Sequence, residues 1–232
     1  MASPTPKRER DNARQAILHA AEEIFARNGF SGARIDAIAE RSGYNKSLIF
    51  HHFTDKLGLY REVIICAKGD MEEEIGSIVK DAETSEDEVL TQAKVTSFFR
   101  RMVGHSFDKL VSHPQMRQIM MWEAAEGWNT YTAVPSFYEE FRLRARMIVN
   151  FTRKAQAAGF VRPRIDPTTI VANVIGMSLM YLSSLPRFSA VFPEADFTSD
   201  AAISHAREQF MLFVLHATLT YNPEENSDET RI

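Results

Sequence analysis

The sequence predicts an all-α protein in two parts, a small N-terminal three-helix unit and a larger helical body. Three observations point there. Proline is absent between Pro6 and Pro114, so a long helix-compatible stretch opens the chain. No segment shows the sustained alternation of β-branched and polar residues that marks a strand. Apolar residues recur at the three- and four-residue spacing of a helix face, first at Ile17, Ala21, Ile24 and Phe25.

That first helix is expected from about Asp11 to Arg27, and Asn28-Gly29 stops it, since Gly29 can take the left-handed position past a helix end. A short helix follows near Ile35 to Arg41, with Ile35, Ile38 and Ala39 facing inward. Ser42-Gly43-Tyr44 reads as a turn, and Asn45 as the N-cap of a helix from Lys46 to His52. Thr54 or Asp55 caps a long helix through Leu57, Tyr60 and Ile64 to about Val79. The acidic run Asp81 to Glu88 reads as a loop. Later helices are placed at 88–112, 115–126, 135–158, 167–185 and 200–221, divided by His113-Pro114, Gly127 to Val134, Gly159 to Pro167 and Pro186 to Ser199. The polar tail 222–232 is expected to be disordered.

Composition narrows the function class. The chain has 232 residues, 44% hydrophobic and 25% charged, enough to bury a core without disulfides or structural metal. No apolar run reaches the ~20 residues of a membrane span, and Thr168 to Leu185, interrupted by Asn173, Ser178, Ser183 and Ser184, reads as a buried helix. Met1 to Arg10 lacks the apolar stretch of a secretory signal. The single Cys66 cannot close an internal disulfide, which suits a cytoplasmic location. Net charge is −4, but it is uneven: residues 1–60 carry nine Lys/Arg against seven Asp/Glu, and the remainder 18 against 24. A basic head on an acidic body suits phosphate contact by the head alone.

Residues 35–53 carry the informative pattern. Two short helices crossing steeply need a small residue at the crossing, a glycine in the turn and an apolar plug on the second helix. Ala39, Gly43 and Ile49 fill these places in order, with Ile38 and Phe53 adding core. An ordinary helical hairpin shares that geometry, but here Asn45, Lys46, Ser47 and His51 remain for the outer face of the second helix. Residues 14–60 resemble the TetR/AcrR family of bacterial regulators. The matching pieces run from Ile17 to Phe30, from Ile38 to Gly43, from Lys46 to Phe53, and through Lys56-Leu57, without a gap.

The resemblance implies a fold and a partner. The fold is all-α, an N-terminal three-helix helix-turn-helix domain plus a C-terminal helical ligand-binding and dimerisation domain. The divisions are 1–60 (with an arm at 1–10), 61–221 and the tail 222–232. The helix from Lys46 to His52 would enter the major groove of a double-stranded DNA operator, with Lys46, Ser47, Phe50 and His51 toward the bases. Lys56 would meet a phosphate beside a helix N-terminus. Arg8 and Arg10 would add contacts from the arm. Three residues depart from the usual family pattern: Phe50 for a tyrosine, Leu48 for a small polar residue, and Arg34 where Ser or Thr caps the second helix. Arginine cannot cap, but it reaches a phosphate by charge; Phe50 can meet a thymine methyl, and Leu48 either does the same or packs inward. For His52, packing outweighs DNA contact.

The body is rich in Met and aromatics, which fill any helical core and also line adaptable apolar pockets. With the family in view, Met121, Trp122, Phe141, Met177 and Tyr181 are the candidates for an effector pocket. Glu123 and Glu126 are expected to be solvated or paired with Arg117 or Arg142. The helices at 167–185 and 200–221 carry apolar residues on more than one face, and by resemblance they form a homodimer interface. The sequence contains no GxSxG, HExxH, Walker or GxGxxG motif, and its histidines lack metal-ligand spacing. The reading is therefore a non-enzymatic regulator, without cofactor or metal: a repressor released from a palindromic operator by a small molecule. The alternative is a helical small-molecule-binding protein or enzyme without DNA binding.

Overall fold

The computed structural model describes residues 6–82 and 89–220. Among them are eleven α-helices: α1 (Pro6–Gly32), α2 (Ile35–Ser42), α3 (Lys46–Phe53), α4 (Lys56–Ala82), α5 (Gln92–Ser112), α6 (Pro114–Ala125), α7 (Asn129–Ala133), α8 (Pro135–Ala157), α9 (Pro167–Ser183), α10 (Leu185–Val191) and α11 (Asp200–Thr218). One isolated bridge, Val161 to Leu219, is the only β pairing in these residues. The expected loop at 83–88 and the tail at 222–232 lie outside the described residues.

Three differences from the expected helices have a local reason. α1 begins at Pro6, so residues 6–10 of the expected arm are helical; proline suits a first helical turn because its missing N–H has no partner there anyway. Its predicted stop holds in the backbone, since Gly29 leaves helical geometry (φ 68°, ψ 176°) before one last turn to Gly32. α10 falls in a segment expected to be irregular. Pro186 reads as a breaker in sequence but sits in the first turn of a helix, where it is tolerated. α7 is a five-residue helix entered through Trp128, itself left-handed at φ 61°.

The chain packs as two compact units: Met1–Asp70 with His113–Glu139, and Met71–Ser112 with Glu140–Ile232. Packing therefore places 61–70 and 113–139 with the N-terminal helices, where the sequence reading put them in the body. The reason is α6. Its Met116 and Ile119 join a buried cluster with Ile17, Phe25, Ile38, Ile49, Phe53 and Leu59, and the Trp122 indole N–H donates to the Ala26 carbonyl at 3.0 Å. Phe25 and Tyr60 meet edge to face at 4.9 Å in the same cluster. Each fully buried large side chain of this kind stabilises by roughly 1.5–3 kcal/mol.

In the second unit α5 packs against α9 and α11. Phe98 and Phe151 meet at a tilt, ring centroids 4.1 Å apart, within a cluster that includes Val95, Ile170, Val174 and Leu215. α9 buries Ile170, Val174, Ser178 and Leu182 at four-residue spacing, the helix-core pattern expected of 168–185. No single helix among the described residues is long and apolar enough to cross a membrane.

Candidate nucleic-acid interface

The α2–α3 corner is built as the sequence spacing requires. Gly43 is left-handed (φ 76°, ψ 9°) and donates its N–H to the Ala39 carbonyl at 3.0 Å, closing α2. The Asn45 side chain accepts the Leu48 N–H at 2.9 Å, fixing the start of α3. Ile49 and Phe53 are buried in the first unit. The opposite face of α3 stays open: Lys46, Ser47 and His51 are exposed, and Phe50 is 42% exposed. Leu48 is half-buried between the two faces. Arg34 stands at the α2 N-cap in extended geometry, exposed and making no capping bond. Lys46 Nζ lies 2.5 Å from Asp36 Oδ1.

The α3–α4 turn is tighter. Thr54 ends α3 at φ 64°, with its N–H on the Phe50 carbonyl at 3.0 Å. Asp55, not Thr54, caps α4: its Oδ1 accepts the Gly58 N–H at 2.6 Å. Sequence reading passed over Gly58. A Cβ there would lie 2.2 Å from the Phe53 carbonyl oxygen, so only glycine fits. An Asp followed three residues later by Gly at a helix start was the available signal. Lys56 Nζ sits 4.7 Å above the Phe30 ring and donates to the Ser31 carbonyl at 3.4 Å. Burial pulls its ammonium below the usual lysine range, opposed by the nearby Glu126. Ser31 in turn donates its hydroxyl to Glu126 Oε2 at 3.2 Å. His52 is half-buried with Nε2 lacking a hydrogen-bond partner. Burial, then His51, Arg10 and Arg14, lowers its pKa from the ordinary value.

On α6 one expectation is corrected. Glu123 is neither solvated nor paired with arginine. It is 2% exposed; Oε1 accepts the Tyr60 hydroxyl at 2.6 Å and Oε2 accepts the Tyr131 N–H at 3.1 Å. The Tyr60 donor lies 63 positions away in sequence, which no local pattern could reveal.

The five effector candidates are divided between the two units. Met121 and Trp122 are half-buried on α6 of the first unit, where Trp122 packs on Gly29 and α1. Phe141 is exposed on α8 in the second unit. Met177 and Tyr181 do come together: both line a groove of about 410 Å³ between α9 and α11. Sequence reading missed the rest of that groove, chiefly Phe107, Phe197 and Phe210.

A short capped helix held by its inner face on two others, with its outer face open, defines a helix-turn-helix protein carrying an additional helical unit. Comparison with known proteins makes the class specific. Residues 17–63 match the domain described as bacterial regulatory proteins, tetR family. Residues 97–214, about half the chain, match the tetracyclin repressor-like C-terminal domain. The chain belongs to the TetR family. It is 42% identical over 55 residues to the HTH-type transcriptional activator FasR of Mycolicibacterium smegmatis (24% of this chain, 25% of that protein). It is 43% identical over 49 residues to the repressor AcnR of Corynebacterium glutamicum (21% and 26%). These matches span about a quarter of each relative. A Streptomyces coelicolor structure, SCO4942, shares the fold at TM-score 0.59 and 23% identity, over 89% of this chain and 98% of that one.

Proposed function

We propose that this protein is a DNA-binding transcriptional repressor that seats on a palindromic operator as a homodimer and is released by a small-molecule effector. The observation that carries the DNA reading is the open face of α3. Lys46, Ser47, Phe50 and His51 point away from a helix fixed by Ile49, Phe53 and the Asn45 cap. Arg34 and Lys56 supply phosphate contacts at the margins, and Leu48 or Phe50 meets thymine methyls. Asn45 contributes by holding the reading helix in place.

Dimerisation is supported by the outer faces of α9 and α11. Met177 (39% exposed) and Met180 (57% exposed) on α9, and Phe213 (59% exposed) on α11, are large apolar groups left exposed among the described residues. A two-fold dimer places its reading helices about 34 Å apart on successive major grooves. Relatives include both an activator and a repressor by name. Repression needs only occupancy of the operator, whereas activation also needs a polymerase-contacting surface. Such a dimer works on chromosomal DNA, in the cytoplasm. The test is a gel-shift with the DNA flanking its own gene against scrambled competitor, alongside sedimentation. Equal affinity for both DNAs, or a monomer at working concentration, refutes the reading.

A further inference from the structure

Lys56 is held differently from its neighbouring cations. Arg14, Arg41 and Lys46 each contact a carboxylate directly, on Glu62, Glu23 and Asp36. Lys56 is held by neutral groups, the Phe30 ring face at 4.7 Å and the Ser31 carbonyl at 3.4 Å. An ammonium has three N–H donors, so two remain for a phosphate. A carboxylate stands one group behind. The exposed Ser31 hydroxyl donates to Glu126 Oε2 at 3.2 Å, and the Glu126 charge supports the charged form of Lys56 against its burial. The end of α6 keeps Glu126 in that place. The Glu126 N–H donates to the Trp122 carbonyl at 2.9 Å, and the Asn129 side chain donates to the Glu126 carbonyl at 2.7 Å. Trp122 in turn ties α6 to α1 through the Ala26 carbonyl. A carboxylate 95 positions from Ser31 in sequence is thus built in beside the Lys56 ammonium.

We propose that Glu126 acts through Lys56 as an electrostatic brake on DNA binding, lowering the affinity for duplex DNA of any sequence. The inference rests on the reading of Lys56 as a phosphate contact. The Phe30 ring and the Ser31 carbonyl hold the ammonium by themselves, so the carboxylate is not needed to place it. What Glu126 adds is a negative charge that an arriving phosphate must approach. That repulsion acts on the backbone and not on the bases, so it is the same on operator and random DNA. It comes from the end of α6, outside the three-helix head, so a residue that the helix-turn-helix does not contain sets part of its affinity.

Glu126→Gln tests it, because it keeps an oxygen for the Ser31 hydroxyl and removes the charge. The probe is a random-sequence DNA duplex, bound through its phosphates, with affinity read by fluorescence anisotropy on the full-length protein. Glu126→Gln is expected to bind about two- to threefold more tightly per subunit, roughly five- to tenfold as a dimer, at low salt, and by a smaller factor at high salt. In a Lys56→Ala background the same substitution should change affinity little, since no phosphate is drawn to that place. A merely structural role would weaken binding, the opposite sign. Without DNA, an NMR titration of the Lys56 side chain should show its pKa lower in Glu126→Gln than in the parent protein. Unchanged or weaker binding by Glu126→Gln, an equal gain in the Lys56→Ala background, or an unmoved Lys56 titration overturns the proposal. A parent protein that ignores the duplex, or that binds it no better than Lys56→Ala, refutes the phosphate reading of Lys56 itself, and the brake falls with it.

Discussion

Removing the hydroxyl of Tyr60 tests the buried polar link of the first unit. Tyr60 is 1% exposed and its hydroxyl donates to Glu123 Oε1 at 2.6 Å, on a side chain sealed from water. In Tyr60→Phe the ring keeps its contacts with Phe25 at 4.9 Å and Phe30 at 5.0 Å, so the change isolates the hydrogen bond. A buried acceptor deprived of its donor costs about 1–3 kcal/mol, and more where the group is charged; about 2–3 kcal/mol is expected. For a chain of this size that lowers the unfolding midpoint by roughly 5–10 °C. Both tryptophans, Trp122 and Trp128, lie in this unit, so their fluorescence reports its unfolding. The double variant Tyr60→Phe/Glu123→Leu should recover part of the loss, because both polar partners leave together, although the Tyr131 N–H loses its bond to Glu123. Burial, reinforced by Glu123, also raises the Tyr60 pKa above its ordinary value of 10. The unfolded chain then releases a proton near pH 10 that the folded chain keeps, so stability falls as pH rises past 10. Of six tyrosines, Tyr60 should be missing from the absorbance titration until the protein unfolds. A Tyr60→Phe loss under about 0.5 kcal/mol, or strictly additive single effects, would refute the reasoning.

Two glycine substitutions should separate strain from overlap. Gly43→Ala meets nothing within 4 Å and is expected to cost about 1 kcal/mol for its left-handed φ. Gly58→Ala drives a Cβ onto the Phe53 carbonyl and is expected to cost roughly 3 kcal/mol or more by urea denaturation. Lys56→Ala should weaken operator and random DNA about equally, while Lys46→Ala or Ser47→Ala should change the ratio between them; competition gel-shifts read both. His52 has a lowered pKa, so below about pH 6.5 the unfolded chain takes up a proton that the folded chain resists, and stability falls with acid. His52→Gln should flatten the melting temperature between pH 7 and pH 5, and an unchanged slope would exclude His52 as the source.

What the sequence made legible was local chemistry. The Asn45 cap and the Gly43 turn each act within five residues of their own position, and Ile49 stands at a fixed spacing from both, so spacing alone carries them. Long-range partnerships were not legible. Glu123 looked like a solvated helix residue because Tyr60 is 63 positions away, and Trp122 looked like a pocket residue because Ala26 is 96 away. Pro186 misled for a different reason, since a proline marks a helix start as readily as a helix end. In the groove, Met177 and Tyr181 could be picked as apolar helix residues, but Phe197 lies in the irregular stretch before α11 and has no periodicity to betray it.

The cations of the first unit are unevenly available, and that fixes how binding should respond to salt. Arg14 is held by Glu62 at 2.5 Å, and Arg41 by Glu23 at 2.6 and 2.9 Å. Lys46 is held by Asp36 on the exposed side of α2 and α3, where both groups remain in water. Such a surface pair is weak, so a DNA phosphate can displace Asp36 from Lys46. Arg10 and Arg34 are exposed and make no ion pair among the described residues. With Arg10, Arg34, Lys46 and Lys56 as donors, a dimer would neutralise roughly six to eight phosphates, and the affinity should fall with salt at a log–log slope of roughly −5 to −7. Asp36→Asn frees Lys46 and removes a negative charge facing the backbone, so it should tighten binding to operator and random DNA alike, several-fold at low salt and less at high salt. Arg34→Ala should reduce the slope by about 2 in a dimer. The measurement is operator affinity by fluorescence anisotropy from about 50 to 200 mM salt. A slope shallower than about −2, or an Asp36→Asn protein that binds more weakly, would mean that phosphate contact by these residues does not lead the docking.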